Sequence, residues 1–432
     1  MHPNRPLNLT FGIELEFLTP SLDGYMDILG FHAPTRRSIA TQLAKLTSLP
    51  FAATCDDRDN CICAVCRNVS PDKRVQGVCF FSDNIPAEPV DIAPKYRGFL
   101  IQKEKLMGPR MDDTWRGLEL TTPAFSKMEI YHGMPQLRQV IGAMRSIKTR
   151  FAANSSCGMH LHVGIEGGMQ LLVAKQLVTL VLLLERQLLF RLCGPTRIAN
   201  KHSQPVADMS RFADEARKAG SSLRSDTAQM KASVPLTIRN LDPRPWNAYS
   251  PELLRKILRL VWKTESLLDL MMGLVKPISG RCAFALSLRA GQLQPEMSFD
   301  FSGAHTYYNG SPSTFEFRHS QMSFDTIYMR NWAELCCRLV EIATLPPPMF
   351  KPQLDRIIKC LPTHGNRGKG QWTDILTTLG LQHQIADWKA QLACYDKACH
   401  HGIKQDFLGN PSTECGHDSR KVTCFLASHH CD

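Results

Sequence analysis

The chain has 432 residues and a formal net charge of +11, with 43% hydrophobic and 21% charged residues. These values are typical of a globular protein with a sizeable core. The basic residues are scattered, without a dense run or interleaved aromatics, so the composition does not favour nucleic-acid binding. The most apolar segment, Leu171–Leu192, contains Lys175, Glu185 and Arg186. Its uncharged runs are far shorter than the ~20 apolar residues of a membrane span, so we expect no membrane association.

The predicted elements follow from hydrophobic periodicity, from Gly and Pro stops, and from helix caps at Ser250 and Asp325. Strands separated by helices and long excursions, without a strict βαβ repeat, indicate an α+β fold with an antiparallel sheet. In chain order the elements are a strand at Leu9–Leu18, a helix near Ser38–Leu46, a hairpin near Val75–Asp83, a strand at Trp115–Thr121, a helix at Met134–Thr149, a strand at Cys157–Val163, a buried helix at Leu171–Leu192, a polar loop at 196–245, a helix from Pro251 to about Val275, a strand at Thr314–His319, a helix at Asp325–Thr344 and a short helix at Trp372–Gly380.

Sixteen cysteines raise the question of a disulfide-rich secreted protein. Met1–Thr10 has no apolar stretch of signal-peptide length, so we expect a cytoplasmic protein with reduced thiols. A variable Cys-rich insertion at about residues 50–80 contains the pattern C-x5-C-x-C-x2-C. It can hold a structural zinc ion, although it lacks paired C-x2-C knuckles and free loop cysteines remain the alternative. Its members are Cys55, Cys61, Cys63 and Cys66.

Three of the predicted strands have ionisable side chains on one face and apolar side chains on the other, because side chains alternate along a strand. Carboxylates and imidazoles bind metal ions, and an arginine suits a phosphoryl or carboxylate oxygen. The pattern predicts one polar cavity with a metal–nucleotide site. The polar pairs are Glu14 and Glu16, His160 and His162, and Glu316 and Arg318.

These motifs carry a resemblance to a known family. Gly-Ile-Glu-Leu-Glu-Phe at 12–17, Cys-Gly-Met-His-Leu-His-Val at 157–163 and Thr-Phe-Glu-Phe-Arg at 314–318 resemble the signature of the fungal-type amidoligases. That family belongs to the carboxylate–amine ligase superfamily, with glutamine synthetase and glutamate–cysteine ligase. Gly-Leu-Glu-Leu-Thr-Thr-Pro at 117–123 resembles the family's second acidic strand, with Thr-Thr-Pro where the family has Ser-Pro. The resemblance covers about residues 8–385.

The resemblance implies a glutamine-synthetase-like fold, with a curved antiparallel sheet forming a funnel and helices packed outside. Residues 1–385 would be the catalytic domain and 386–432 a polar, poorly ordered tail. The implied activity is ATP-dependent ligation of a small carboxylate to an amine through an acyl phosphate, with Mg²⁺. The implied metal ligands are Glu14, Glu16, Glu119, His160 and Glu316. The implied catalytic residues are Arg318, Glu316 and Glu16, and the implied cofactor-binding residues are His162, Arg318 and Arg197.

Other interpretations remain open at this stage. Imidazole suits zinc better than magnesium, so the same cluster is also compatible with a zinc-dependent hydrolase, or with an inactive binding homologue. Glu316 and Arg318 can form an ordinary surface ion pair. Arg197 can clamp the substrate carboxylate in bidentate fashion, or it can be a surface arginine at a helix end. If Glu316 is one acid among several, its removal should stabilise the metal-free protein by relieving repulsion. The oligomeric state and the identities of the acid and amine do not follow from the sequence.

Overall fold

The computed structural model describes most of the chain between residues 8 and 400. The described residues are 8–21, 33–54, 69–70, 73–75, 78–82, 96–104, 115–153, 156–194, 197, 200, 202–219, 225–241, 251–276, 281–288, 313–362, 372–400 and 408–409. The proposed zinc cysteines Cys55, Cys61, Cys63 and Cys66 lie outside these residues.

The described strands form one twelve-stranded sheet. The main path runs β10-β11-β9-β1-β6-β5-β2-β4-β3, while β7 and β8 pair with β1, and β12 pairs with β8. The strands are β1 (Leu9–Pro20), β2 (Phe51–Thr54), β3 (Arg74–Val75), β4 (Val78–Phe80), β5 (Phe99–Lys103), β6 (Trp115–Thr121), β7 (Phe125–Ser126), β8 (Ala152–Ala153), β9 (Gly158–Ile165), β10 (Phe284–Ser287), β11 (Thr314–Gln321) and β12 (Leu408–Gly409).

The α+β class is confirmed, but the prediction of a purely antiparallel sheet is wrong. Strands β2 and β5 pair in parallel, so the sheet is mixed. Over the described residues it is also open, with β10 at one end of the path and β3 at the other. The sequence indicated β1, β6, β9 and β11 by their alternation, whereas β2 and β5 are short buried runs whose direction periodicity does not reveal.

The helices pack on the apolar side of the central strands. Helix α11 (Thr326–Ala343) lies across β9 and β1. Helix α4 (Leu171–Leu184) packs against α11 and is buried along almost its whole length. A five-residue π-helical turn, Glu185–Leu189, follows α4. The helices are α1 (Ala33–Thr47), α2 (Met128–Tyr131), α3 (Pro135–Ser146), α4 (Leu171–Leu184), α5 (Phe190–Leu192), α6 (Val206–Met209), α7 (Arg211–Lys218), α8 (Ala228–Ser233), α9 (Pro251–Lys263), α10 (Leu267–Leu274), α11 (Thr326–Ala343), α12 (Pro347–Cys360), α13 (Trp372–Thr378) and α14 (Ile385–His400).

Three predictions about the helical part are wrong. The polar loop expected at 196–245 contains the short helices α6, α7 and α8, two of which begin with hydroxyl caps from Ser210 and Thr227. The single helix expected from Pro251 to about Val275 is two helices, because Ser266 caps a new one. The tail expected from residue 386 begins instead as α14, which is held by the buried rings of Trp388 and Tyr395.

None of the helices in the described part of the chain is both long enough and apolar enough to cross a bilayer.

Candidate active site

The polar motifs lie on four neighbouring strands, in the order β11-β9-β1-β6. Across β1 and β9, Glu14 is opposite His160. Across β1 and β6, Glu16 is opposite Glu119. Glu316 on β11 is opposite His162 on β9. Residues that face each other in a sheet point to the same side. The register therefore gathers six ionisable side chains on one face. The apolar side chains that alternate with them, such as Ile13, Leu161 and Phe317, are buried in the core on the other face.

One cluster of possible metal ligands joins β1, β9 and β11. It consists of Glu14, His162 and Glu316, whose candidate ligand atoms all lie within 4.8 Å of one another. His162 Nε2 is 3.2 Å from Glu14 Oε1 and 3.8 Å from Glu316 Oε1. The other ring nitrogen, Nδ1, lies 3.1 Å from Thr314 Oγ1. A hydroxyl contact of this kind fixes the ring orientation, as is usual for histidines that bind metals.

A second cluster lies next to the first and joins β1, β5 and β6. Glu16, Glu104 and Glu119 also place ligand oxygens within 4.8 Å of one another. Two polar side chains orient Glu119: Gln102 Nε2 donates to its Oε1 at 2.5 Å and Thr121 Oγ1 donates to the same oxygen at 2.9 Å. An all-carboxylate set of this kind suits a hard cation such as Mg²⁺.

His160 lies between the two clusters. Its Nδ1 is 3.2 Å from Glu14 Oε2, and its Nε2 is 3.6 Å from Glu16 Oε1. The structure therefore places His162 inside the first ligand cluster. The resemblance to the amidoligases implied His160 as the metal ligand and His162 as a residue that binds the cofactor. Both rings lie on the same face of the sheet, as the alternation of the strand requires.

The electrostatics of the first cluster favour a charged acid beside a charged imidazole. Burial raises the pKa of Glu14, but His162 and His160 outweigh burial and hold that pKa well below its usual range. Burial lowers the pKa of His162, but Glu14 and Glu316 raise it above its usual value. Protons on the imidazole thus balance part of the negative charge in the metal-free protein, and a cation can displace them.

Arg318 and Glu316 form a close pair at the edge of the first cluster. Arg318 Nη2 lies 2.5 Å from Glu316 Oε1, and both side chains are mostly buried. Among the described residues, the Nε of Arg318 has no hydrogen-bond partner, so this guanidinium retains donor capacity toward a bound anion. The pair is therefore a partly enclosed feature of the cavity, unlike the exposed surface pair that the sequence left open.

Arg197 has a different position from the one expected of a residue that binds a ligand. It is 1% exposed, and its Nε and Nη2 donate to the backbone carbonyl oxygen of Arg318 at 3.3 and 3.2 Å. Its guanidinium also lies close to Gly158, since a Cβ added there would be 2.4 Å from Arg197 Nη2.

Sequence reasoning missed Gln102, Glu104 and Thr314. Gln102 is opposite Glu119 in the register of β5 and β6, and Glu104 follows two residues later in the run Gln-Lys-Glu. The alternation of that run was the available signal. It was too short to stand out, because the rest of β5 is an apolar run of Phe, Leu and Ile.

The donor set fits divalent cations bound by oxygen ligands, with one or two imidazoles nearby. Among the described residues, five carboxylates and two guanidinium groups face or border this region, so a cation would relieve the excess negative charge. Glu14 and Glu16 belong to different clusters but are two residues apart on β1, a separation of about 7 Å. The two clusters thus adjoin each other. The carboxylates are Glu14, Glu16, Glu104, Glu119 and Glu316, and the guanidinium groups are those of Arg197 and Arg318.

Comparisons with known proteins add little to this picture. No protein-family model matches the chain, and neither does any curated protein. Four chains of solved structures match it. One, described as a novel glutamine synthase homolog, is 11% identical, with 91% of this chain and 70% of that chain covered and a TM-score of 0.30. Similarity this low identifies neither a family nor a reaction for this chain.

The second cluster gives a prediction about pH. Burial raises the pKa of Glu119 well above its ordinary value of 4.5, and Glu14 and Glu16 raise it further. The folded protein thus keeps a proton that the unfolded chain releases, so this residue lowers the free energy of unfolding as pH rises above that value. Glu119→Gln keeps the oxygen that accepts from Gln102 and Thr121. We expect it to stabilise the metal-free protein by about 1 kcal/mol at neutral pH.

Urea denaturation of the full chain in excess chelator, from about pH 4 to about pH 8, measures this difference. The gap between variant and wild type should be small at the acidic end and should widen toward neutral pH. Equal stabilities across the whole range would show that Glu119 is an ordinary solvated carboxylate.

Proposed function

We propose that this protein is an ATP-dependent carboxylate–amine ligase of the amidoligase type, and that its active site is the cavity face of β11, β9, β1 and β6. The single observation that carries the proposal is the adjacency of two ligand clusters to a mostly buried arginine whose Nε is unpartnered among the described residues. The order and spacing of the motifs that resemble the amidoligases support the same reaction.

Two divalent cations, taken as Mg²⁺, would be held by the two clusters. Glu14, His162 and Glu316 would hold one, and Glu16, Glu104 and Glu119 the other. Bound there, the ions would neutralise phosphate charge. The contacts of His162 with Glu14 and Glu316 support its assignment, rather than that of His160, to the first cation.

The protein's own residues supply orientation and charge. Arg318 would donate from Nε to a γ-phosphoryl oxygen, while Nη2 remains on Glu316. Arginine offers the planar fork that suits phosphoryl oxygens. An oxygen of the substrate carboxylate attacks the γ-phosphorus, the bond to the β-phosphate oxygen breaks, and ADP leaves. The amine then attacks the acyl carbon of the acyl phosphate, inorganic phosphate leaves with the bonding electron pair, and the amine nitrogen loses a proton.

His160 would take part in the proton movement of the second step. It contacts carboxylates of both clusters, and an imidazole can accept a proton at one ring nitrogen and donate one from the other. No nucleophilic side chain is required by this scheme, since the activated acyl group is carried by phosphate.

Hydroxylamine trapping tests the proposal with the full-length chain. Hydroxylamine replaces the unknown amine, and a panel of amino acids and other carboxylates is incubated with ATP and Mg²⁺. We expect at least one carboxylate to give a hydroxamate together with equal amounts of ADP and phosphate, in a reaction that a chelator stops. Calorimetry should also show ATP binding that needs Mg²⁺ and is lost in a Glu14→Gln, Glu16→Gln double variant.

Two results would refute the ligase assignment. ATP that does not bind with or without Mg²⁺ would remove the nucleotide from the site. Hydrolysis of an ester or amide substrate that needs Zn²⁺ but not ATP would instead identify a zinc hydrolase built on the same histidines and carboxylates.

A further inference from the structure

Strand β11 contains a β-bulge at the point where it meets the site. Phe317 is opposite Leu161, but Ser320 is opposite Met159, so β11 uses three steps where β9 uses two. Arg318 and His319 therefore share the position opposite His160. A bulge re-aims side chains and disrupts the hydrogen-bond ladder. Here Arg318 stays with Glu316 on the site face and His319 enters the core, where it is 0% exposed, while the residues after the bulge lie on the faces opposite to those of simple alternation.

Three donors hold the backbone carbonyl oxygen at the bulge. The carbonyl of Arg318 accepts from Nε and Nη2 of Arg197 and, at 2.8 Å, from Oγ of Ser203. The backbone amide of the same residue, Arg318, donates to the carbonyl oxygen of Ala283 at 2.7 Å. Residue 318 is thus fixed by groups from two different segments, outside the regular pairing of β11 with β9.

The core side of the bulge is held by the same region of the chain. His319 Nε2 lies 3.3 Å from Glu185 Oε1, and both side chains are fully buried. Both carboxylate oxygens of Glu185 accept from the amide of Val206, at 3.0 and 2.8 Å. Glu185 begins the π-helical turn, a feature that often marks functional regions. Groups within 185–206 therefore contact the bulge from both faces of the sheet.

The packing of Arg197 does not suit a clamp for a substrate carboxylate. A bidentate clamp needs two nitrogens on one edge of the guanidinium. The Nε–Nη2 edge is occupied by the Arg318 carbonyl, and the Nη1–Nη2 edge is enclosed by protein because the side chain is only 1% exposed. Nη1 alone lacks a hydrogen-bond partner among the described residues. The side chain also fills the space above Gly158, where any Cβ would meet Arg197 Nη2 at 2.4 Å and His160 Nε2 at 2.9 Å.

We propose that Arg197 is a positioning residue: together with Ser203 it holds the bulge carbonyl of Arg318 and so keeps the Arg318 guanidinium against Glu316, where it can meet the phosphoryl group. This inference rests on the proposed function only for the part that Arg318 takes in the reaction. The hold of Arg197 and Ser203 on the bulge carbonyl, called the clamp below, does not depend on that function. Ser203 distinguishes a positioning role of Arg197 from substrate binding. Its buried, uncharged hydroxyl donates to the same carbonyl but cannot bind a substrate carboxylate as an arginine does, so a shared effect of the two residues must come from the carbonyl.

Hydrogen–deuterium exchange of the full-length chain, without any substrate, tests the clamp. The amide of Arg318 is the probe, because it belongs to the residue whose carbonyl Arg197 and Ser203 hold and it donates to Ala283 in continuation of the β10–β11 pairing. We expect Arg197→Met and Ser203→Ala each to speed exchange at Arg318 by about tenfold or more, the factor associated with loss of about one buried hydrogen bond. Exchange in β6 should stay unchanged.

Arg36→Met is the matched control. Arg36 is another buried arginine, 2% exposed, and its Nη1 donates to Thr54 Oγ1 at 3.2 Å, on a part of the sheet away from the bulge. This variant should lose stability without faster exchange at Arg318. Exchange at Arg318 that stays within about twofold of wild type in either test variant, or that rises equally in Arg36→Met, would overturn the proposal.

Kinetics provide a second readout once a substrate is found. Arg197→Met and Ser203→Ala should both lower kcat with little change in the KM of the acid, and neither should add its full effect to that of an Arg318 variant. A raised KM of the acid with unchanged kcat in Arg197→Met would make Arg197 a substrate clamp and refute the positioning role. If the wild type does not turn over ATP, the proposed function fails, while the exchange experiment still decides the clamp.

Discussion

Glu316→Gln is expected to lower the rate of ATP-dependent turnover by roughly 10³-fold or more, because it removes a charge that serves two partners. Glu316 belongs to the first ligand cluster with Glu14 and His162, and it also holds Arg318 Nη2 at 2.5 Å. The amide keeps a hydrogen-bond acceptor for the guanidinium but is a far poorer ligand for a divalent cation. Steady-state measurement of ADP formation at saturating ATP, with the carboxylate found by trapping, gives the comparison.

The same variant should be less stable than wild type when no metal is present. Burial raises the pKa of Glu316, but Arg318 and His162 outweigh it and lower that pKa below its ordinary value of 4.5. The folded state therefore favours the charged acid, and this stabilisation is present above that value and lost as pH falls through the lowered pKa. We expect a loss of about 1 kcal/mol at neutral pH. The expected sign is thus the reverse of the one expected from the sequence alone, because the sequence-based expectation counted neighbouring acids and not the ion pair.

Glu129→Gln provides the control for both measurements. Glu129 is also a buried carboxylate, but it accepts from the backbone amide of Gln136 at the start of α3 and belongs to neither ligand cluster. Its turnover should equal that of the wild type. Full activity in Glu316→Gln would remove this carboxylate from the reaction, whatever the control shows.

The site-bearing strands could be predicted from sequence because their alternation is strict. In Phe-Gly-Ile-Glu-Leu-Glu-Phe, every second side chain must enter the core, so Glu14 and Glu16 have only one face available. The same constraint holds for His160 and His162. Neighbouring strands in one sheet then bring these faces together, provided that the strands pair in the order that the structure shows.

The rest depended on features that local periodicity does not contain. The β-bulge at Arg318 changes the face of every later residue in β11, and the side chains that donate to its carbonyl, Arg197 and Ser203, lie more than a hundred positions away in the sequence. The helical stretch at 206–218 was mistaken for loop because its residues are polar, yet buried Phe212 and Ala216 anchor it. For the same reason α14 was missed: two aromatic rings, rather than a continuous apolar stripe, attach it to the core.

Arg318→Lys is expected to lower kcat by roughly 10²-fold although the charge is retained, the loss associated with one preorganised donor to a developing charge. Burial lowers the pKa of Arg318, but Glu316 outweighs burial and raises it, so the guanidinium stays charged. Its planar fork can keep one nitrogen on Glu316 and offer another to a phosphoryl group. A lysine is a point charge on a flexible stem and can satisfy Glu316 or the phosphoryl oxygens, but not both in a fixed geometry.

Arg259→Lys is the matched control for this prediction. Arg259 has the same 12% side-chain exposure as Arg318 and pairs through Nε with Asp226 at 2.7 Å, outside the cavity. The control tests whether shortening any mostly buried arginine slows the enzyme. ATP affinity measured by calorimetry separates the remaining possibilities: an interaction made mainly in the transition state lowers kcat and leaves nucleotide binding nearly unchanged. A loss confined to ATP affinity would make Arg318 a nucleotide-binding residue, and equal rates would exclude it from phosphoryl transfer.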